Sequence, residues 1–482
     1  MRVLSIVSEV YPLIKTGGLA DVAGALPAAL AREDVEMRTL LPGYPAVLAK
    51  LEKSEAVHDY PHLFGGPARI LAGRAQGLDL FVLEASHLFD RPGNPYLGRN
   101  GLDWPDNAQR FAALARVGAD IARGTATSFL PDVAHCHDWQ AALTPAYLVY
   151  DGGPHPGTVL TIHNLAFQGH YPAALLSALG LPPHAMSIDG VEYFGGIGFL
   201  KAGLQLADRI TTVSPTYARE IMTTEFGMAL EGLLRKRADV VSGIVNGIDD
   251  EVWNPATDPN LAQSYSAMRL DQRDANRVAL QQRLGLDVDA HAPLFGVVSR
   301  LTSQKGLDLL LGALPELLAA GGQLAVLGTG EKVLEEGFAA ATRSHKGRVG
   351  AFFGYDEGFA QIIQAGVDFL AVPSRFEPCG LTQLCALRYG AVPIVARVGG
   401  LADTIIDANQ AAINAGVATG VQFYPPEASE LSYALKRAFA IHGDPVTLRR
   451  LRLNGMRADV SWRGPAKRYA SLYRDLAAGR AA

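Results

Sequence analysis

The run RVLSIVSEVYPLIKTGGLADVAGALPAAL, residues 2–30, carries the pattern that decides the fold. A short apolar segment leads into a loop holding Lys15 and the Gly17–Gly18 pair. Leu19, Val22, Leu26 and Leu30 then recur at helical spacing. Strand, turn and helix follow in that order, and the order repeats. Strand candidates in the first half include RVLSIVSE, LDLFVLEA, DVAHCH, GTVLTIHN, DRITTVS and SGIVNG. In the second half LFGVVSR, QLAVLG, RVGAFFG, DFLAVPS and VPIVAR alternate with amphipathic stretches such as GLDLLLGALPELLAA. Continuous apolar runs alternating with helices specify parallel sheets covered on both faces. Two such series in 482 residues, too many for one core, predict two doubly wound α/β domains. The Gly-, Asn-, Asp- and Pro-rich stretch GIVNGIDDEVWNPATDPN, residues 243–260, marks the boundary. The tail after about residue 428 reads as helical, with a break at SWRGP.

Composition narrows the function classes. Hydrophobic residues make up 49% and charged residues 19%, the balance of a globular chain. The net charge is −5 with no basic block, so no nucleic-acid partner is expected. Cys136, Cys379 and Cys385 form no CxxC pattern, which fits a reducing cytoplasm. The apolar start carries Arg2 and runs into Glu9 and Lys15, so it reads as a buried strand rather than a signal peptide. No apolar run reaches the roughly 18 residues of a membrane span, and no membrane partner is expected.

Ligands in open α/β sheets sit beyond the carboxyl ends of the strands, and the candidates lie there. KTGGLADV can seat an anion on helix N–H groups, with Lys15 adding charge and the glycines allowing close approach and positive φ. It can equally be a plain turn with a solvated lysine. Arg300 ends a strand and Lys305 follows in the next loop, a fork and a point charge suited to a diphosphate, or a solvated pair. In VPSRFEPCGLTQLCALRYG, Glu377 precedes a helix expected to start near Gly380, with Leu381 and Thr382 in its first turn. Glu377 can accept from sugar hydroxyls or simply cap that helix. His135 and His137 share one face of a strand, but no further ligand cluster accompanies them, so no metal is expected. His163 ends another strand as an active-site or a structural histidine. Tyr355 can stack on a base or pack. Neither GxGxxG nor GxxxxGK[ST] occurs, which disfavours dinucleotide dehydrogenases and P-loop NTPases.

Taken together, KTGGLADV, HDWQAAL, TIHNLAFQG, TTVSPTYAREI, GIVNGIDDEVWNPATD, SRLTSQKGLDLL and PSRFEPCGLTQLCALRYG closely resemble the bacterial glycogen synthases, relatives of plant starch synthases. The resemblance runs from residue 1 to about residue 475. It implies a GT-B fold, with two Rossmann-like domains, an interdomain cleft and a C-terminal helix crossing back to the first domain. The implied segments are residues 1–245, 246–458 and 459–482. The implied activity is retaining transfer of glucose from ADP-glucose to the non-reducing end of glycogen or a malto-oligosaccharide, in the cytoplasm. No metal or pyridoxal phosphate is required. Lys15, Gly17 and Gly18 are implied to lie by the donor diphosphate and glucose. Arg300 and Lys305 are implied on the phosphates, and Glu377 on glucose hydroxyls with the Gly380, Leu381 and Thr382 amides nearby. His163 and Tyr96 are implied at the donor glucose, Asp138 on the acceptor side, Tyr355 on adenine and Asn246 on the donor.

The chain departs from the family pattern at Gly98, where Asp is frequent, at Ala229, where Gly is usual, and at Ala391, where a hydroxyl or cysteine is common. Related transferases carry a second acid eight residues after the first. Here Cys385 stands at that distance from Glu377, which favours the glycogen and starch synthase branch. No carboxylate nucleophile is assignable, so front-face attack is the expected route to retention. The rivals are a glucan phosphorylase, which needs a pyridoxal lysine, and an inactive glucan-binding protein, which would have lost the cations. Oligomeric state is not legible.

Overall fold

A computed structural model describes residues 1–481. The chain forms two compact units. Unit 1 comprises Met1–Asn246 and the terminal segment from Trp462, and unit 2 comprises Gly247–Ser461.

Unit 1 contains β1 (Arg2–Ile6), β2 (Glu36–Pro42), β3 (Glu52–Leu63), β4 (Gly66–Ala75), β5 (Leu78–Glu84), β6 (Val133–His137) and β7 (Gly157–Ile162). β8 (His170–Pro172), β9 (Glu192–Tyr193), β10 (Gly196–Gly198), β11 (Arg209–Thr212) and β12 (Val241–Gly243) follow. One nine-stranded sheet runs β12-β11-β7-β6-β1-β2-β5-β4-β3, and β8, β10 and β9 form a small sheet of their own. Pairing is parallel from β12 to β5, while β4 and β3 add antiparallel. Every residue of β6 and β7 is buried, as expected for strands covered on both faces. β3 is the edge, and its exposed charged residues suit an unpaired strand.

Helix Gly18–Ala31 buries Leu19, Val22, Leu26 and Leu30, the positions the spacing selects. The terminal helix Arg463–Ala481 packs in the same unit. Tyr469, Tyr473 and Leu476 join Val22, Leu26, Val133 and Val159 in one apolar cluster. Helices Ala428–His442 and Pro445–Arg457 precede it, and the chain turns at the expected break before Arg463.

Unit 2 contains β13 (Leu294–Val298), β14 (Gln323–Gly328), β15 (Val349–Phe353), β16 (Phe369–Val372), β17 (Val392–Ala396) and β18 (Val421–Phe423). They form one parallel sheet in the order β15-β14-β13-β16-β17-β18. A buried ionic knot fixes its centre. Asp368 accepts from Arg277 and Arg452, each at 2.5 Å, and from the Leu294 amide at 2.8 Å. Burial pushes this carboxyl up, but His442, Arg452 and Arg277 outweigh it and hold it well below the usual range. The knot sets the start of β16 beside β13.

Both large sheets are doubly wound, and among the parallel strands of each there is one point where the strand order reverses. In unit 1 the reversal falls between β1 and β6, in unit 2 between β13 and β16. Ligands of such sheets bind just beyond those points.

Candidate active site

In unit 1 most of the candidate residues lie in the loops after β1, β6 and β7. Glu9, three residues past β1, is buried. It accepts from the Thr16 amide, from Thr16 Oγ1 at 2.9 Å, from Tyr96 Oη at 3.2 Å and from the Gly17 amide. Tyr96 also bonds Ser8 at 2.7 Å. Burial pushes the Glu9 carboxyl up, and the Thr16, Tyr96 and Gly17 bonds pull part of that back. Lys15 donates to Asp21 at 2.7 Å and lies 5.2 Å from the Tyr11 ring centre.

These contacts revise the reading of KTGGLADV. Two amides that could seat an anion already serve Glu9, and Lys15 is held by Asp21 rather than swinging in solvent. Gly17 is extended at φ −158°, and neither glycine adopts positive φ. The value of Gly17 lies in space, since an added Cβ would meet nothing within 4 Å. The helix that begins at Gly18 has no side-chain cap, so its first amides still face outward.

Asp138 follows β6 directly and sits at φ +53°, a left-handed conformation that Asp tolerates better than most residues. Its Oδ1 accepts from the His163 amide at 2.6 Å and the Asn164 amide at 3.4 Å, so it shapes the loop after β7. Burial pushes its carboxyl up to about 7, against the pull of those two bonds. His163 Nε2 lies 3.0 Å from His137 Nδ1. His135 and His137 do share a face, with ring centres 4.1 Å apart. Burial holds all three imidazoles down, His137 to about 3 and the other two well below 6.5. They are neutral rings that offer hydrogen bonds rather than charge. Among the described residues no three His, Cys, Asp or Glu side chains group as a metal cage. Asn246, the last residue of unit 1's main segment, is buried with no partner for its Oδ1 among the described residues.

In unit 2 the loops after β13 and β16 meet at the reversal point. Lys305 Nζ lies 2.5 Å from Glu377 Oε2, which also accepts from Ser374 Oγ at 3.0 Å. Glu377 is buried, and its Lys305 partner is largely shielded. Arg300 is exposed, and among the described residues its guanidinium has no carboxylate partner. Gly380 is at φ +73°, and a Cβ there would meet Gln383 Oε1 at 2.4 Å. The helix begins at Thr382 rather than near Gly380, with Leu381 as its N-cap. Gly380 and Leu381 therefore belong to the turn that delivers the helix. Tyr355, two residues past β15, is 72% exposed, with its hydroxyl 3.0 Å from Glu357. The ring is open to solvent rather than packed in the core, which answers the packing alternative.

Sequence reasoning missed residues that support these loops. Arg375 donates to both Asp308 carboxylate oxygens, at 2.7 and 2.6 Å, and to the Ser303 carbonyl. The Arg375 amide reaches the Gln304 carbonyl at 2.9 Å. These bonds zip the Lys305 loop to the Glu377 loop. Gly306, at φ +66°, lets the first loop press onto the Pro373 carbonyl, where a Cβ would come within 1.9 Å. A legible signal was overlooked: GGLAD, residues 17–21, recurs at residues 399–403. The second copy also opens a helix after a strand, and the Gly400 amide bonds the Glu377 carbonyl at 3.1 Å.

Comparison with known proteins adds the family. Residues 2–236 match a model described as the starch synthase catalytic domain, and residues 282–448 one described as glycosyl transferases group 1. A glycogen synthase of Rhodopseudomonas palustris (strain BisB18) is 62% identical over 477 residues, 99% of this chain and 98% of the relative. One from Methylocella silvestris is 62% identical over 476 residues, 99% of each chain. Among solved structures, the catalytic domain of starch synthase IV from Arabidopsis thaliana, bound to ADP and acarbose, superposes with a TM-score of 0.89. Its identity is 32%, over 99% of both chains. A sucrose-phosphate synthase from Thermosynechococcus elongatus, 18% identical with a TM-score of 0.59 over 99% of both chains, shares the fold alone. The fold is GT-B.

Proposed function

The chain belongs to the bacterial glycogen synthases, and we propose that its residues divide the family's reaction between the two sheet reversal points. The enzyme elongates α-1,4-glucan by transferring glucose from ADP-glucose, with release of ADP. The observation that carries the division of labour is the Lys305–Glu377–Ser374 cluster beside exposed Arg300, at the carboxyl ends of β13 and β16.

Arg300 and Lys305 take the donor diphosphate and stabilise the charge that grows on departing ADP, as preorganised electrostatics. The Gly380, Leu381 and Thr382 amides add dipoles. When phosphate engages Lys305, Glu377 is released to accept from glucose hydroxyls, with Ser374 steadying it. Tyr355 stacks on the adenine. Lys15 and the open space at Gly17 receive the phosphoryl-glucose end, and Tyr96 contacts the glucose. His163, a neutral imidazole, lies against the donor sugar, and Asn246 supplies its unsatisfied oxygen. Asp138 serves the acceptor side by shaping the His163–Asn164 turn. In this reading the cations do the work of a divalent metal, and neither metal nor pyridoxal phosphate takes part.

Transfer with retention proceeds by front-face attack, the departing phosphate accepting the proton of the acceptor hydroxyl. The carboxylates near the chemistry support this, since Glu9 and Asp138 are turned onto backbone amides and Glu377 onto a lysine. Trapping a glucosyl–enzyme adduct would overturn it. Three buried cysteines, none of them in a disulfide, suit a cytoplasmic setting. Among the described residues no helix is long and apolar enough to cross a membrane.

The test is incorporation of labelled glucose into glycogen from ADP-glucose and, separately, UDP-glucose. Arg300→Ala should cut turnover by two orders of magnitude or more in a folded protein. Near-normal turnover would remove Arg300 from the diphosphate.

A further inference from the structure

The polar chain running from the terminal helix into the centre of unit 1 plays no part in the reading above. Tyr473 is fully buried on helix Arg463–Ala481, which packs beside β6 and β7. Its hydroxyl lies 2.8 Å from His135 Nδ1. The other nitrogen, His135 Nε2, lies 2.6 Å from Thr161 Oγ1, which is 2.5 Å from Thr211 Oγ1. His135 is therefore pinned at both ends of its ring. His137 is held less completely. Its Nδ1 bonds His163, but its Nε2 is buried without a partner among the described residues. What fixes the His137 plane is the neighbouring His135 face, 4.1 Å away between ring centres.

We propose that Tyr473 is a positioning residue for glucosyl transfer: its hydroxyl locks His135, whose ring, packed at a 36° tilt against His137, limits the turning of His137, which in turn aims His163. The phenol, the stronger acid of its pair, donates to His135 Nδ1. That selects the Nε2–H tautomer, which donates onward to Thr161. A buried phenol takes a hydrogen-bond partner wherever it sits. Here that partner is one ring nitrogen of a histidine packed in series with His137 and His163. The inference rests on the placement of His163 at the donor sugar.

The test is a cycle of Tyr473→Phe, His163→Ala and the double variant, in the full chain, with ADP-glucose and saturating glycogen. Tyr473→Phe keeps the ring and its packing. We expect kcat to fall about tenfold while KM for ADP-glucose stays within twofold, and ¹⁵N shifts of His135 to report loss of the fixed tautomer. In the His163→Ala background the same change should cost less than twofold. Thr161→Val frees His135 from its other side and should reproduce the kcat loss should Tyr473→Phe fail to fold. A folded Tyr473→Phe enzyme with native kcat overturns the proposal, as does an equal loss with and without His163. Native turnover in His163→Ala would instead remove His163 from the sugar, and the inference with it.

Discussion

Lys305→Ala separates stability from catalysis in a way the geometry makes quantitative. The Lys305 ammonium is 2.5 Å from Glu377 Oε2, and the two side chains are only 17% and 8% exposed. Removing the lysine strands a buried carboxylate with Ser374 Oγ, at 3.0 Å, as its one remaining side-chain donor among the described residues. Breaking a buried pair costs about 3–5 kcal/mol. Water entering the vacated lysine channel trims this to about 2–3 kcal/mol, given the partial exposure. Turnover should fall further than stability. A preorganised group acting on departing charge contributes about 3–4 kcal/mol to the barrier, or 10²–10³ in kcat. The double variant Lys305→Ala/Glu377→Ala distinguishes the two effects. With no orphaned carboxylate it should regain most of the lost stability, while activity stays at the floor. Urea unfolding and labelled-glucose incorporation, run on the same preparations, give both numbers. A folded Lys305→Ala enzyme within threefold of native kcat would refute the role at the leaving group. A double variant no more stable than the single would show that the ion pair is not what the lysine stabilises.

Asp138, its carboxyl pushed up to about 7, binds a proton in the native state that it loses near pH 4 when unfolded. Between those values the native protein binds more protons, so stability should decline as pH rises, by roughly 2–4 kcal/mol in all. Asp138→Asn cannot ionise yet keeps an oxygen for the His163 amide, so its unfolding free energy should lose that decline. An unchanged slope would place the titration elsewhere. Gly17→Ala and Gly306→Ala should behave in opposite ways. The first meets open space, so we expect stability within about 0.5 kcal/mol of native but at least tenfold slower transfer. The second drives a Cβ onto the Pro373 carbonyl in a left-handed backbone and should lose about 2–3 kcal/mol in chemical denaturation. Equal stability losses would mean that the space at Gly17 is not ligand space. Asp368→Ala leaves Arg277 and Arg452 facing each other in the core and should cost about 3–5 kcal/mol, read as a lowered urea midpoint.

The sheets were legible because fully buried parallel strands such as β6, β7, β14 and β17 are written as unbroken apolar runs. β2, β3 and β4 were not singled out. β3 and β4 form an exposed antiparallel edge whose alternation is diluted by charge, and β2 runs straight on from a helix end. Residues just past strand ends could be chosen as candidates because chain direction alone places them at the ligand side of a sheet. Their partners could not. Nothing local to Glu9 announces its bonds to Thr16, Gly17 and Tyr96, which make it the keystone of the first loop. The Arg375–Asp308 clamp joins residues 67 positions apart, and the Tyr473–His135 bond joins residues 338 apart. No local period encodes such pairs. Positive φ, which the glycines at 17 and 18 allow, is not used there, and the helix expected near Gly380 begins at Thr382, both for one reason. A glycine advertises freedom, and only its surroundings decide whether that freedom is spent on curvature or on vacancy.

The threading of the chain bears on synthesis. Residues 247–461 leave and re-enter unit 1 through neighbouring segments, with Ile248 bridging Ser461. Unit 2 is in effect a long insertion within unit 1. At translation rates of about 5–20 residues per second, His135 waits roughly 17–70 s for Tyr473 to be made. Through that interval the nascent first sheet lacks the helix that covers Val133 and Val159, and that apolar face stays uncovered. Unit 2, contiguous in sequence, can be finished while unit 1 is still open. The order of emergence thus predicts that the segment made first matures last.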